Sequence, residues 1–450
     1  MERIYKLKKG LDLRLVGEAR HEKKQIPQSG EYVVSPTDFY GLIPRLCVKE
    51  GDRVLAGSPL FADKDTERIK VVSPVSGTVS AIVRGARRKI MGIKIKADAA
   101  NQYVDFKQLD LLGASADKAI DALLQTGMFA FFRQRPYDVV ANPNDKPKGI
   151  FISAFNKMPL AADFSFTVKG EEEAFRTGVK VLSKIAKVHL GIQPSQVNTP
   201  ILPIEEADVN IFEGPNPSGN VGVQINHVSP VNRGEVVWTI APDEVVMIGR
   251  LAMKGVVDQK KTIAVAGSGI IDPIYAEVLV GTPFADVLNG NMKGDGNWRI
   301  IKGNPFVGTQ SSQEDGVGAH QTELCVIPEG DDVHEVFGWI MPRLKDFSVN
   351  HSYCSWLSPK TKSYDLDCRV KGGKRNMIMS GEYDRVFPMD IYAGYLIKAI
   401  ITGDIDRQEA LGIYEVAPED FAVAEFVDSS KLELQKIVRE GLDTLRKENA

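Results

Sequence analysis

The most informative part of the chain is residues 47–82, CVKEGDRVLAGSPLFADKDTERIKVVSPVSGTVSAI. Short runs of valine, leucine and isoleucine alternate here with turn residues, namely Gly51-Asp52, Gly57 and the segment from Ser73-Pro74 to Gly77. Glycine and proline at this spacing end strands after a few residues and favour tight hairpins. The pattern extends over residues 30–100 and predicts a compact β-sandwich or barrel built from short strands.

This stretch resembles the hammerhead fold of biotinyl and lipoyl carrier domains. Members of that family expose a modifiable lysine on a hairpin that precedes the Ser-Pro-x-x-Gly turn, and Lys64 occupies the corresponding place. The segment from Lys64 to Ser73 is longer than in true carriers. We therefore favour a scaffold without a prosthetic group over modification of Lys64, and the intact mass of the protein distinguishes the two.

Length and composition are those of an ordinary globular protein. The 450 residues are 43% hydrophobic and 26% charged, and at about 150 residues per domain they correspond to about three domains. The net charge of −3, from 56 basic and 59 acidic residues, argues against a nucleic-acid binder. The four cysteines, Cys47, Cys325, Cys354 and Cys368, form no Cys-x-x-Cys pair. We therefore expect neither a metal site nor a disulfide framework.

The N-terminus does not look like a secretory signal. Residues 1–15 alternate charged and apolar side chains and contain no continuous apolar segment. No run in the chain reaches the roughly 18 apolar residues that span a bilayer. We expect a cytoplasmic chain that is soluble on its own and can dock on a membrane partner.

An aromatic segment interleaved with arginine follows a predicted helix over residues 117–125. It reads Gly127-Met-Phe-Ala-Phe-Phe-Arg-Gln-Arg-Pro136. Such side chains can hold a planar ligand by stacking and by cation–π contacts. The alternative is a buried aromatic cluster whose arginines bind carboxylates elsewhere in the protein. We expect residues 101–148 to be mostly helical.

Residues 149–258 alternate strand and helix patterns, which is typical of a parallel sheet. One strand candidate, residues 209–212, leads into a glycine-rich loop with Gly214, Gly219 and Gly222, followed by His227. Backbone N–H groups of such a loop can bind phosphate. However, Pro215 and Pro217 remove two donors, so we favour a rigid turn. We expect His227 to be a hydrogen-bonded core or interface histidine.

The remaining residues form two further units. Residues 260–312 read as two strands, a short helix with Thr282 as N-cap and Pro283 at its first position, and a third strand. This order resembles the soluble-ligand-binding β-grasp fold. Further strands are predicted at residues 336–339 and 377–379. Ser430 and Glu433 predict a capping box for a C-terminal helix with Leu434, Val438, Leu442 and Leu445 on one face.

We predict a multidomain α+β protein with four units. They are an N-terminal strand segment with a biotinyl/lipoyl-like barrel-sandwich (1–100), an α/β Rossmann-like domain (101–258), a β-grasp domain (259–320) and a mixed, helix-ending C-terminal domain (321–450).

The order of these units resembles one group of respiratory proteins. It contains the flavin-binding subunit of complex I, the RnfC subunit of the Rnf complex, and the NqrA family of the sodium-translocating NADH:quinone oxidoreductase. The resemblance is greatest to the last family and covers essentially the whole chain. The stretches that carry it are KKGLDL (8–13), SPVSG (73–77), RGARR (84–88), FRQRP (132–136), GPNPSG (214–219), FGW (337–339), FSV (347–349), GEYDRVFPMD (381–390) and ALG (410–412).

Two differences separate the chain from the other members of the group. Bulky aromatics replace the glycines of the flavin-binding loop at residues 127–136, and residues 369–450 contain no cysteine for an iron–sulfur cluster. The resemblance therefore implies a peripheral subunit, on the cytoplasmic side of the bacterial inner membrane, of a six-subunit complex that couples NADH oxidation and quinone reduction to sodium export. It implies no tightly bound cofactor in this chain, with NADH and flavins in partner subunits. An RnfC-like electron carrier is the alternative.

The family has been linked to quinone binding. Because an aromatic ring can stack on a quinone and an arginine can hydrogen-bond its carbonyl oxygen, we expect quinone contacts from Phe131, Phe132, Arg133 and Arg135. We expect no catalytic residue and no metal ligand in this chain.

Overall fold

The computed structural model describes residues 3–294, 296–331, 346–349, 354–359 and 361–449. Within these ranges the strands are β1 (Arg3–Lys6), β2 (Arg20–Gln25), β3 (Glu31–Val34), β4 (Pro44–Leu46), β5 (Arg53–Val54), β6 (Pro59–Asp63), β7 (Lys70–Val72), β8 (Gly77–Arg84), β9 (Ile90–Ala97), β10 (Arg133–Arg135), β11 (Val139–Val140), β12 (Ile150–Ser153), β13 (Val188–Ile192), β14 (Ala207–Glu213), β15 (Val237–Thr239), β16 (Lys260–Ala266), β17 (Ile274–Leu279), β18 (Trp298–Lys302), β19 (Thr309–Ser311) and β20 (Glu323–Pro328).

The helices of the same ranges are α1 (Ala116–Gln125), α2 (Phe164–Thr167), α3 (Glu172–Ser183), α4 (Val221–Val228), α5 (Pro242–Lys254), α6 (Phe284–Leu288), α7 (Glu382–Val386), α8 (Ala393–Ile401), α9 (Ile405–Ala410), α10 (Ala422–Val427) and α11 (Leu434–Glu448). Among these residues we find no helix whose length and apolar character would let it cross a membrane.

The first unit is built from two small antiparallel sheets. One has the order β3-β9-β8-β5 and the other β4-β6-β7. The strands bury apolar side chains in a core that includes Leu60, Phe61 and Ile93. Gly51 and Gly57 have positive φ values of 89° and 97°, which explains why glycine stands at these turns.

The second unit is a seven-stranded sheet with the order β1-β14-β13-β12-β15-β10-β11. Strands β1, β14, β13, β12 and β15 pair in parallel in this spatial order, and β10 and β11 add an antiparallel edge. Helices α3 and α5 pack closely because glycine stands at their contact. A Cβ atom at Gly249 would lie 1.7 Å from the backbone oxygen of Ala174. The alternating strand and helix pattern thus forms the expected parallel sheet, but residues 101–148 contain one helix, α1, and a short 3-10 turn rather than mostly helix.

The third unit is a six-stranded sheet with the order β19-β18-β20-β16-β17-β2. Its last strand along the chain, β20, reaches Pro328 and so extends beyond the predicted boundary at residue 320. Helix α6 begins at Phe284 with Pro283 as N-cap, which corrects the predicted cap. The hydroxyl of Thr282 donates a hydrogen bond to the backbone oxygen of Leu279 instead.

The C-terminal region is a cluster of helices from α7 to α11. The predicted apolar face of α11 is confirmed, because its members are fully buried in one core; they are Leu434, Val438, Leu442 and Leu445. The predicted capping box is wrong. Ser430 lies four residues before α11, is fully buried, and accepts a hydrogen bond from the backbone N–H of Ile378 at 3.2 Å.

Two predicted strands of this region have different outcomes. Residues 377–379 form a loop, because no strand in the described part of the chain pairs with them, and the predicted strand there is wrong. The strand predicted at 336–339 lies outside the described residues.

Candidate functional site

A cleft opens at the carboxyl edge of the seven-stranded sheet. Strand β12 pairs with β13, which follows it in the chain, and on its other side with β15, which the chain reaches only after β14. The chain therefore reverses its direction of winding at β12. In open α/β sheets, ligands bind outside the carboxyl ends of the strands at such a point. Here the residues that follow β12 and β15 line a cavity of about 730 Å³.

All four units contribute residues to the cavity wall. Ser35, Asp38 and Met91 come from the barrel-sandwich, and Lys302 and His320 come from the third unit. The C-terminal region contributes Glu419, and the aromatic segment contributes Phe131, Arg133 and Arg135. A site with this composition exists only when the units are packed together.

The neighbouring rings of Phe131 and Phe132, in the aromatic segment, have different surroundings. Phe131 is 4% exposed and lines the cavity, where its ring meets those of Phe39 and His320 edge-on at 5.8 and 5.7 Å between centroids. Phe132 is fully buried in the core instead, because its ring stacks on Phe129 at 5.3 Å and meets the edge of Trp238. Phe132 is therefore not available to a ligand in this cavity.

Arg133 and Arg135 share one face of β10 because side chains alternate along a strand. The side chain of Arg133 is 34% exposed and lies 3.7 Å from Asp138. That of Arg135 is 1% exposed and contacts two carboxylates, Asp138 at 3.2 Å and Glu419 at 3.1 Å. Both arginines line the cavity. Arg135 thus fits both interpretations of the segment, because it lines the cavity and also binds carboxylates from its own loop and from the C-terminal region.

Burial and charge act in opposite directions on this cluster. Burial lowers the pKa of the Arg135 guanidinium, but Asp138, Asp420 and Glu419 raise it above its ordinary value. Burial raises the pKa of Asp138, but Arg133 and Arg135 hold it below its usual range. The ion pair of Arg135 and Asp138 is therefore charged at neutral pH.

Among the described residues of the cavity wall, negative side chains outnumber positive ones. The arginine and lysine residues of this lining are Arg133, Arg135 and Lys302, and each of their side chains lies within 4 Å of a carboxylate. The carboxylate residues of the lining are Asp38, Asp138, Asp243, Glu244, Asp315, Glu323 and Glu419. This charge balance disfavours a phosphate-bearing ligand and suits a neutral one.

The glycine-rich loop is fixed by contacts on several sides. Gly214 approaches the backbone of Leu7 so closely that a Cβ atom would lie 2.6 Å from its oxygen. Gly219 approaches Phe155 in the same way, and it lines the cavity. Nδ1 of His227 lies 2.8 Å from the backbone oxygen of Val223, and its ring meets Tyr5 edge-on. These contacts are those of a rigid turn and a hydrogen-bonded interface histidine.

The N-terminal end of α4, where a phosphate would bind in a nucleotide-binding loop, is occupied by the chain itself. A Cβ atom at Gly222 would lie 2.3 Å from Oδ2 of Asp420, so this carboxylate packs directly on the first turn of the helix. Burial raises the pKa of Asp420 to about 7, and Arg135 acts against that rise. A carboxyl group from the C-terminal region thus stands where the loop would otherwise bind phosphate.

Comparison with known proteins places these features in a family. Three family models match consecutive parts of the chain. They are the NqrA N-terminal barrel-sandwich hybrid domain over residues 5–98, the NqrA second alpha/beta domain over residues 114–257, and the NQRA C-terminal domain over residues 262–313. The chain is also 31% identical to the NqrA subunit of the Na(+)-translocating NADH-quinone reductase from Rhodopirellula baltica, over 99% of this chain and 98% of the relative. The chain belongs to the NqrA family.

Other members of the NqrA family match as completely. Identity to the proteins of the same name from Yersinia pestis (strain Angola) and Cellvibrio japonicus is 32%, over 99% of this chain and 100% of each relative. The matched models describe a mixed α/β multidomain protein with a barrel-sandwich unit, a second α/β unit and a C-terminal unit. The matches give no support to an RnfC-like carrier.

Lys64 lies apart from the site of this family member. It is exposed directly after β6, on the loop that leads to β7, and does not line the cavity. Its backbone N–H donates to the oxygen of Ile43 at 2.8 Å. The absence of a prosthetic group on Lys64 stays a prediction.

Several cavity residues were not found from the sequence. Asp38 accepts a hydrogen bond from the backbone N–H of Ala319 at 3.0 Å and pairs with Lys302, so it joins the first and third units. Nδ1 of His320 contacts Glu244, which joins the third unit to α5. Of these residues, only Glu244 belongs to a recognisable sequence pattern, because a proline followed two positions later by an acidic residue marks the start of a helix.

Proposed function

We propose that this chain serves as the NqrA subunit of a Na(+)-translocating NADH-quinone reductase. In this role it is a peripheral subunit on the cytoplasmic side of a bacterial inner membrane, within a six-subunit complex that oxidises NADH, reduces quinone and exports sodium. The observation that carries the proposal is the match over 99% of the chain to relatives of that name. Its NADH and flavin chemistry belongs to partner subunits, of which one is embedded in the membrane.

The finer fold descriptions belong to the same proposal. The winding reversal at β12 supports a Rossmann-like description of the second unit. The antiparallel pair β16–β17, the helix α6 and the strand β18 support a β-grasp description of the third.

We further propose that the cavity binds a quinone headgroup. Phe131 offers an aromatic ring, and the partly exposed guanidinium of Arg133 offers hydrogen-bond donors to a carbonyl oxygen. Arg135 supports this arrangement from behind by binding Asp138, the carboxylate that also faces Arg133. A quinone is neutral, which agrees with the excess of carboxylates on the wall.

A flavin nucleotide fits this chain less well. Its phosphate would meet the acidic wall of the cavity, and the Asp420 carboxyl group already occupies the first turn of α4. Phe129, Phe131 and Phe132 fill the segment in which a flavin-binding relative carries glycines, so the backbone cannot approach a phosphate closely. These contacts support a protein without its own tightly bound flavin.

Titration of the full chain with a short-chain quinone tests the cavity. The Arg133→Gln variant should bind about tenfold more weakly, which corresponds to the loss of about 1.4 kcal/mol from one hydrogen bond to a charged donor. Arg68→Gln is the matched control, because Arg68 is exposed and pairs with Asp121 outside the cavity. If the wild type, Arg133→Gln and Phe131→Leu bind the quinone with equal affinity, the quinone does not bind in this cavity.

A further inference from the structure

The hairpin between β8 and β9 ends in a concentrated group of positive charges. Four cations stand within six residues of its tip, and they are Arg84, Arg87, Arg88 and Lys89. All four are exposed, and none forms an ion pair with any residue in the described ranges. Within the part of the chain that the structure describes, Nη1 of Arg84 donates a hydrogen bond to the backbone oxygen of Arg88. The whole chain has a net charge of −3, so this local excess is not a property of the average surface.

The turn places its two central arginines in an unfavourable conformation. Arg87 and Arg88 have φ values of 54° and 60°, and the turn is closed by a hydrogen bond from the N–H of Lys89 to the oxygen of Ala86 at 3.2 Å. Two consecutive positive φ values define a hairpin turn that favours Asn-Gly. Local folding alone would therefore not select Arg-Arg here. A non-glycine residue held in this region points to a role for its side chain.

Apolar side chains flank the charged tip. Val83 is 39% exposed on one strand and Met91 is 41% exposed on the other. Met91 packs beside Gly85, where a Cβ atom would lie 2.9 Å from its Cγ, and it also lines the cavity. Cations and exposed apolar groups are thus combined on one hairpin that adjoins the cavity.

We propose that the β8–β9 tip docks this protein on an anionic lipid bilayer. The four cations would attract acidic headgroups, while Val83 and Met91 would enter the interfacial layer. Long cationic side chains without ion pairs among the described residues suit a surface of mobile headgroups, because they can adapt to headgroups that have no fixed positions. The contact would also turn the Met91 side of the cavity toward the bilayer in which quinones dissolve. This last point rests on the proposed quinone role, whereas the lipid contact itself does not.

Vesicle binding by the full chain, measured without quinone, tests the proposal. The protein should bind vesicles of phosphatidylcholine mixed with phosphatidylglycerol, should not bind pure phosphatidylcholine, and should be released by salt. Substituting all four cations (Arg84→Gln, Arg87→Gln, Arg88→Gln, Lys89→Gln) should lower the partition coefficient about 30-fold or more, since each cation near an anionic surface strengthens binding several-fold.

The control makes the same change in net charge elsewhere. Its four substitutions fall on exposed lysines without ion pairs among the described residues, and they are Lys118→Gln, Lys146→Gln, Lys184→Gln and Lys254→Gln. This control should bind anionic vesicles like the wild type. If both variants lose the same amount of vesicle binding, the loss is caused by the change in net charge alone and the proposal is wrong.

A second variant protects the test against misfolding. Arg87→Asn/Arg88→Gly removes two charges and gives the turn its preferred residues, so the hairpin should be at least as stable while vesicle binding falls about tenfold. If the hairpin variants bind anionic vesicles like the wild type but no longer assemble with solubilised partner subunits, the tip recognises an acidic protein surface and the lipid proposal is wrong. If the quinone titration fails and vesicle binding is still observed, only the quinone proposal is wrong. The two proposals can therefore fail separately.

Discussion

Nη2 of Arg135 lies 3.1 Å from Oε1 of Glu419, although 284 residues separate the two in the chain. The contact joins the edge of the seven-stranded sheet to the C-terminal region at the wall of the cavity. Because Arg135 is almost fully buried, its charge depends on Glu419 and Asp138 for compensation. The C-terminal region is therefore part of the site as well as of the scaffold.

Removal of the Arg135 charge should strongly destabilise the protein. In Arg135→Met the buried Asp138 loses its nearest cation, and breaking such a pair costs about 3–5 kcal/mol. Chemical denaturation of the full chain measures this change. Arg68→Met is the control, because its exposed ion pair contributes at most about 1 kcal/mol. Similar losses in both variants would contradict the structural role of Arg135.

Asp420 should make stability fall as the pH rises. Its pKa is about 7 in the folded protein and 3.8 ordinarily, so between these values the folded state binds more protons than the unfolded state. The associated stability is complete below the lower value and is lost as the pH rises through about 7, with a slope of at most about 1.4 kcal/mol per pH unit. Asp420→Asn should lose this slope. Parallel stability curves for the wild type and the variant would show that Asp420 does not titrate in this window.

The contact of Gly222 with Asp420 should appear as an energetic coupling. Gly222→Ala forces a methyl group against the carboxylate and should cost about 1–3 kcal/mol. In the background of Asp420→Ala the same substitution should cost much less, because the obstructing group is gone. A double-mutant cycle of unfolding free energies measures the coupling. Additive effects of the two substitutions would mean that the residues do not meet.

Phe132 should matter for stability and not for the ligand. Phe132→Leu disturbs the packing against Phe129 and Trp238 and should lower the free energy of unfolding by on the order of 1 kcal/mol. The quinone affinity of the folded protein should not change, whereas Phe131→Leu should weaken it. If Phe132→Leu weakens quinone binding and leaves the free energy of unfolding unchanged, Phe132 contacts the quinone and the assignment of the two rings is wrong.

Much of the fold could be predicted from local patterns. Strands β12, β13 and β14 are readable as short, mostly apolar runs that are buried over consecutive residues, and α11 is readable from the helical spacing of its buried side chains. Strand β2 could not be read, since its residues are all exposed and polar and its partner β17 lies about 250 residues further along. Strand β1 likewise pairs with the distant β14.

The site was predictable only where its residues are neighbours in sequence. Arg133 and Arg135 drew notice because aromatic and basic residues interleave within one short segment. Asp38, His320 and Glu419 belong to three other units and have no local pattern, so only the packing of those units brings them to the cavity. The same packing takes Phe132 away from the cavity, which residue type alone could not show.

The central claim is that this chain works within a Na(+)-translocating NADH-quinone reductase, and purification of the tagged chain from solubilised membranes of its own cell tests it most directly. We predict that the chain is recovered together with membrane-embedded partners and with NADH:quinone activity that sodium stimulates, and that its deletion abolishes this activity. Recovery of the chain alone, with the sodium-stimulated activity intact in membranes from the deletion strain, would contradict the account.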